Sequence, residues 1–210
     1  MVRSESEPQT RVIVFARVPR LGGVKTRLAA AIGQQGALDA HRALLERTLE
    51  IARASDARQR ELCLAGEDTE GECAALARRH GFVLARQEGA DLGARMFNAL
   101  QRALSDGCLP VLVGSDVAAL VREDLSAAFA ALRRADAVFA PTEDGGYALV
   151  GLRRALPRIF EGPEWGGDRV MLDTRARLRA EAASWVELRT LWDVDDVADL
   201  RRWEAIRAGA

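Results

Sequence analysis

Lysine is almost missing from this chain. Of the 30 lysine and arginine residues in 210, only Lys25 is lysine. Tyrosine occurs once, at Tyr147, and histidine twice, at His41 and His80. The three cysteines, Cys63, Cys73 and Cys108, are odd in number and form no Cys-x-x-Cys pair, which excludes a disulfide framework and a zinc knuckle. An excess of one charge is lacking too. The 31 acidic and 30 basic side chains leave a net charge of −1. A general binder of nucleic acid or of a membrane surface would need a basic excess, so neither partner is expected. No apolar run approaches the roughly 18 residues of a membrane span, and Met1 to Thr10 are polar and acidic, unlike a secretory signal. A soluble, reduced, cytoplasmic protein is the expectation.

Scarcity also points inward. Arginine has replaced lysine wherever the exchange is tolerated, as it usually is on a surface. A site that needs a compact ammonium does not tolerate it. The surviving lysine lies in Gly22-Gly23-Val24-Lys25-Thr26-Arg27, and the single tyrosine in Asp144-Gly145-Gly146-Tyr147.

What is present is alternation. Short apolar runs rich in valine and isoleucine predict strands at 11–16, 62–65, 82–85, 109–113, 137–140, 147–152 and 185–188. Helical patterns fill the intervals at 25–53 (with a break at Gly33), 70–80, 92–104, 123–134, 168–180 and 195–206. Such a succession predicts an α/β fold, a three-layer α/β/α sandwich on a mostly parallel sheet. The parallel order is expected to break locally at the pair 137–140 and 147–152. Residues 1–10 are expected to be a disordered tail and 11–210 one domain. At 210 residues, folding hides roughly 70% of the extended chain's surface, so no staple is needed.

Ligands of such sheets bind beyond the carboxyl ends of the strands, so the residues after each strand carry the information. After the first come Arg17, Arg20, Gly22, Gly23, Lys25 and Arg27, then a helix. Adjacent glycines and a helix start suit an anion, and a di- or triphosphate is the obvious guest. The loop is neither a Walker A nor a Gly-x-Gly-x-x-Gly motif. After the fourth strand, Asp116 follows Gly114-Ser115, either as a ligand for a hard divalent cation or as a cap of the next turn. Thr142 to Gly146 reads as a tight turn, and its glycines also permit close approach to a ligand. Asp193 and Asp195, two apart in an extended stretch, can face one metal site, or can begin the last helix together with Asp196. Asp91 opens a helix as N-cap. Gly93 in that helix's first turn, poor on propensity, makes sense if something approaches closely there. His41 and His80 sit in helical patterns and are read as non-catalytic, and the cysteines as ordinary.

Together these segments resemble one family. Phe15-Ala-Arg-Val-Pro-Arg-Leu-Gly-Gly-Val-Lys-Thr-Arg-Leu28 is similar to the opening motif of the DUF2064 family. Asp91-Leu-Gly-Ala-Arg-Met96, Val113-Gly-Ser-Asp116, Ala140-Pro-Thr-Glu-Asp-Gly-Gly-Tyr147, Trp165 and Asp193-Val-Asp195 follow in that family's order, over about residues 11–202. More distantly the set resembles MobA-type nucleotidyltransferases and phospholactate guanylyltransferases. The resemblance implies a nucleotide-diphospho-sugar transferase fold (glycosyltransferase-A, Rossmann-like). It implies that Arg17, Gly22, Gly23, Lys25 and Arg27 hold the phosphates of a nucleotide or nucleotide-sugar donor. Asp116, Asp193 and Asp195 would hold Mg2+ or Mn2+, and Lys25 and Asp116 would be catalytic. Asp144, Gly145, Gly146, Tyr147 and Trp165 would bind the substrate, a small-molecule acceptor.

The expected reaction is metal-dependent transfer by direct displacement, since no Ser–His or Cys–His nucleophile pair is evident. Glycosyl transfer is preferred, with nucleotidyl transfer releasing pyrophosphate as the alternative. Binding without turnover is a third reading, because the chain departs from the family at two places. Val117-Ala118 replaces Cys-Pro or Ser-Pro after the aspartate, which would alter the turn aiming Asp116. Gly167 replaces a serine or threonine two residues after the tryptophan, removing a hydroxyl near the acceptor.

Overall fold

The computed structural model describes residues 8–162 and 164–208. Seven strands form one sheet: β1 (Gln9–Arg17), β2 (Gln59–Ala65), β3 (Val83–Arg86), β4 (Cys108–Gly114), β5 (Ala137–Pro141), β6 (Tyr147–Leu152) and β7 (Trp185–Glu187). Five helices connect them and a sixth follows the last: α1 (Thr26–Ala54), α2 (Glu72–His80), α3 (Leu92–Ser105), α4 (Arg122–Leu132), α5 (Val170–Ala180) and α6 (Val197–Ala208). A 3-10 turn at Pro157–Phe160 precedes α5. β1 begins at Gln9, whose partner is Cys108, so the tail expected over 1–10 is shortened. Its residues 1–7 lie outside the described residues.

The period-2 alternation of the strands builds the three layers. Val12, Val14 and Ala16 of β1 pack in one cluster with Leu45 and Leu49 of α1, Ala77 of α2 and Leu125 of α4. Ile13 and Phe15 point to the other face and pack with Leu100 of α3 and Met171 and Leu178 of α5. α6 closes the first layer, with Trp203 against Leu28, Leu44 and Trp192. No helix among the described residues is long and apolar enough to cross a membrane.

The sheet order is β3-β2-β1-β4-β6-β5-β7. β1 pairs in parallel with both β2 and β4. Only β6 runs against its neighbours, antiparallel to β4 and β5. The cause is local: residues 142–146 are too few for a crossover, so β6 must fold back as a hairpin. The expected break in helix α1 is present at Gly33, whose backbone leaves the helical region (φ 78°, ψ 163°).

Candidate functional site

The chain leaves β1 toward β2 on one side, while β4 pairs on the other. A crevice therefore opens at this switch point, between the loops that follow β1 and β4. The loop after β1 carries Lys25 and the one after β4 carries Asp116. A third segment is drawn across the same strand ends by backbone bonds. Leu191 bridges Thr142 in parallel, its N–H donates to Pro141 O at 2.8 Å, and Val194 N–H donates to Asp116 O at 3.1 Å. Asp193 and Asp195 arrive with it.

Lys25 Nζ lies 2.9 Å from Asp116 Oδ2 and 3.6 Å from Asp195 Oδ1, and it donates to the Val194 carbonyl. The lysine side chain is 4% exposed, the two aspartates 38% and 37%. Arg27 meets the other oxygen of Asp195 at 2.8 Å from an exposed position. Lys25 holds a left-handed backbone (φ 49°, ψ 47°) at the start of α1 and offers no side-chain cap there. For an L-residue that conformation costs about 1–2 kcal/mol; such strain collects at sites of function.

His41 completes the cluster. It is 2% exposed. Its Nε2 is 3.0 Å from the Arg17 carbonyl, which can only accept, so Nε2 carries a proton and donates. Nδ1 lies 3.7 Å from Asp116 Oδ1 with no hydrogen-bond partner. Desolvation disfavours the Asp116 charge, but His41 and Lys25 outweigh it and hold that carboxyl well below the usual range. Asp193 goes the other way. Burial, then the charges of Asp195 and Asp144, push its carboxyl up to about 6.

Two cavities meet at Asp116, sharing Phe15, Leu92 and Gly114 as well. The larger, about 470 Å³, is lined by Arg17, Lys25, Arg27, His41 and Arg95. The smaller, about 240 Å³, has aromatic and aliphatic walls with Asp116, Asp144 and Asp193 as its charged groups. Gly146, Tyr147, Trp165 and Gly167 also line it. Tyr147 packs edge-on against both Phe139 (5.2 Å between centroids) and Trp165 (6.3 Å). Its buried hydroxyl has no hydrogen-bond partner among the described residues.

Some candidate residues shape the site without lining it. Gly23 N–H donates to Arg20 O at 2.9 Å, so this amide closes the turn and is not free for an anion. Gly22 provides the positive φ of 71° in the same turn. Neither glycine lines either of these two cavities. Gly145, absent from the lining too, allows the 142–147 loop to seat on α5. A Cβ there would stand 2.0 Å from Asp168 O, and its carbonyl accepts from Met171 N–H at 2.9 Å. Asp144 combines the turn and ligand readings: it accepts from Gly146 N–H at 3.1 Å and from the Thr142 hydroxyl while facing the smaller cavity. Gly93 is explained by the Phe160 carbonyl oxygen and the Trp165 ring; a Cβ would stand about 2.5 Å from the ring and closer still to the carbonyl.

At the departures from the family pattern, Val117 and Ala118 are each 2% exposed and packed in the core. Asp116 is nonetheless aimed at Lys25. Gly167 brings no hydroxyl of its own to the lining of the smaller cavity.

Sequence reading set His41 aside as non-catalytic and did not single out Gln87 or Arg95. Gln87 directly follows β3, and Arg95 lies in the segment opened by Asp91, so the rule of looking beyond strand ends would have reached both. The acids suit a hard cation in chemistry, and Asp193 carries a charge its neighbours disfavour. Their placement is less ready. Among the described residues no three histidine, cysteine or acidic side chains are gathered to hold a metal, and Lys25 occupies Asp116 and Asp195. A divalent ion would have to displace that ammonium.

The model of the family described as "uncharacterized protein conserved in bacteria (DUF2064)" matches residues 48–167, which include Asp116 and the 142–147 loop. A candidate nucleotide-diphospho-sugar transferase from Desulfovibrio desulfuricans G20 is 30% identical, over 92% of this chain and 85% of that one, with a TM-score of 0.84. A cytidylyltransferase from Leptospira borgpetersenii serovar Hardjo-bovis superposes over 97% of this chain and 88% of its own at 12% identity, with a TM-score of 0.67. Glucosyl-3-phosphoglycerate synthase from Mycobacterium tuberculosis, solved with Mn2+, UDP and glucosyl-3-phosphoglycerate, covers 93% and 75% at 13% identity and 0.56. At such identities the last two establish likeness of fold alone. No curated protein matches the sequence.

Proposed function

This chain belongs to the DUF2064 family, and from its site we propose that it is a metal-dependent transferase that uses a nucleotide-sugar donor. One observation carries the reading: Lys25 and Asp116 meet at the seam between a cationic chamber and an acidic, aromatic one. A donor diphosphate fits the first, where Lys25, Arg27, Arg17 and Arg95 supply positive charge. An acceptor fits the second, so that the bond to be broken lies at the seam. As an acceptor hydroxyl attacks the anomeric carbon, negative charge grows on the leaving diphosphate. A preorganised ammonium in a partly dry crevice stabilises that charge more than water does.

Asp116, with Asp193 and Asp195, would hold Mg2+ or Mn2+, which when bound supplies further neutralisation of the diphosphate. None of the three cysteines lines either chamber, which supports direct displacement over a covalent intermediate. The relative from Desulfovibrio desulfuricans supports glycosyl transfer. The gathering of four cationic side chains, enough for a triphosphate, favours the second reading: nucleotidyl transfer with release of pyrophosphate.

A thermal-shift screen of nucleotides and nucleotide-sugars, with and without Mg2+, tests the donor half through linkage. Selective stabilisation that depends on Mg2+ and vanishes in Asp116→Asn is expected. Unchanged Mg2+ dependence in that variant removes Asp116 from the metal site. Product analysis then separates the readings: nucleoside diphosphate, pyrophosphate, or neither for a protein that binds without turnover.

A further inference from the structure

We propose that the smaller chamber takes a neutral or cationic acceptor with an apolar face and turns away anionic ones. This rests on the reading of that chamber as the acceptor side. The chain has 30 basic residues, yet no lysine, arginine or histidine is among the described residues lining this cavity. Its charged groups are Asp116, Asp144 and Asp193. Lys25, which neutralises Asp116, lines the other chamber. With Asp116 neutralised, Asp144 and Asp193 leave the chamber with an excess of negative charge in the absence of a divalent cation. The walls deepen the effect, because Phe15, Met96, Trp165 and Val170 exclude the water that would screen a like charge. A phosphorylated or carboxylated acceptor would enter with no basic side chain in the lining to receive it.

Chemistry of the walls adds the second half. Leu92 and Trp165 offer an apolar face to the guest. At about 240 Å³, set against the roughly 30 Å³ that a water takes in the liquid, the space suits a compact group of about eight to twelve non-hydrogen atoms.

Three probes of closely similar shape isolate charge: tyramine, tyrosol and 4-hydroxyphenylacetate. Binding to the full chain is followed at the tryptophan indole N–H signals by nitrogen-15 NMR, with Trp165→Phe identifying the signal of Trp165. Tyramine is expected to shift that signal and to bind at least about tenfold more tightly than 4-hydroxyphenylacetate, with tyrosol between them. In Asp144→Asn/Asp193→Asn the gap should close to within about threefold while tyrosol binding persists. Binding of the anion as tight as that of tyramine overturns the proposal. So does failure of all three probes to move the Trp165 signal at millimolar concentration. These measurements use no nucleotide, so an acceptor result stands whether or not the donor screen succeeds, and a failed probe series leaves the donor reading intact.

Discussion

Two aspartates follow β4 and meet different cations. Asp124 is 6% exposed and is held by the fork of Arg189, with Nε to Oδ1 and Nη2 to Oδ2 both at 2.7 Å. The same carboxylate accepts from Val121 N–H at the start of α4, and Arg189 uses its remaining reach on the Ala119 carbonyl. Every strong group in that cluster is matched. Asp116 instead has a lysine on one oxygen, shared with Asp195, and a histidine nitrogen just out of hydrogen-bond range on the other. A guanidinium consumes both oxygens of a carboxylate and locks them; an ammonium is a point charge that leaves lone pairs free. The Asp124 cluster is built to stay closed, and the Asp116 cluster to exchange partners when a ligand arrives.

The largest effect expected from this contrast is Lys25→Arg, which keeps the charge. Nζ is buried among two carboxylates and the Val194 carbonyl, and a planar guanidinium there would clamp Asp116 as Arg189 clamps Asp124. Turnover, measured by release of the leaving diphosphate or pyrophosphate, should fall by about 100-fold, roughly 2.7 kcal/mol of lost stabilisation. A fully active arginine variant would erase the distinction between the two clusters.

The converse substitution is Asp124→Ala. It strands a half-exposed arginine and uncaps α4, so it should lower stability by about 2–3 kcal/mol, read as a shift in denaturant midpoint. Turnover per folded molecule should stay near wild type. Loss of turnover without loss of stability would show that the closed cluster also serves the chemistry.

The same contrast marks what was legible in the sequence. Strand runs such as Val111–Val113 advertise themselves, and Asp116, Asp193, Asp195 and Lys25 were found because they sit just beyond such runs. Lysine scarcity singled out the one side chain that two acids share. The place of β6 between β4 and β5 was not readable from the order of runs. Nor was the use of Gly23, whose amide turned out to serve Arg20. His41 was set aside because its neighbours along α1, Leu38 and Leu45, make it look like one more residue of a core stripe. Only the packing of α1 over the ends of β1 and β4 turns that stripe position into a contact with Asp116, and no local pattern records a contact between residues so far apart in the chain.

The smallest effect belongs to Asp193, the acid that neither cation neutralises. Burial first, then Asp195 and Asp144, raise its carboxyl from the ordinary 3.8 to about 6. A folded-state pKa above the unfolded one means that the native protein binds more protons between those values. The contribution is therefore intact below about pH 4 and is lost as pH rises through 6. Other carboxyls slope the opposite way, Asp136 among them, since the Ser184 backbone amide and nearby arginines depress it. The difference between wild type and Asp193→Asn isolates the one group. The variant should gain on wild type by up to about 2 kcal/mol between pH 4 and pH 7, measured by denaturation at each pH. Mg2+ should narrow that gap at pH 7 by stabilising wild type more than the variant, because the cation relieves the charge that the asparagine has already removed. A gap that does not change with pH would mean that Asp193 is neutralised within the fold, and Asp116 would then no longer be the exposed half of an unfinished cluster.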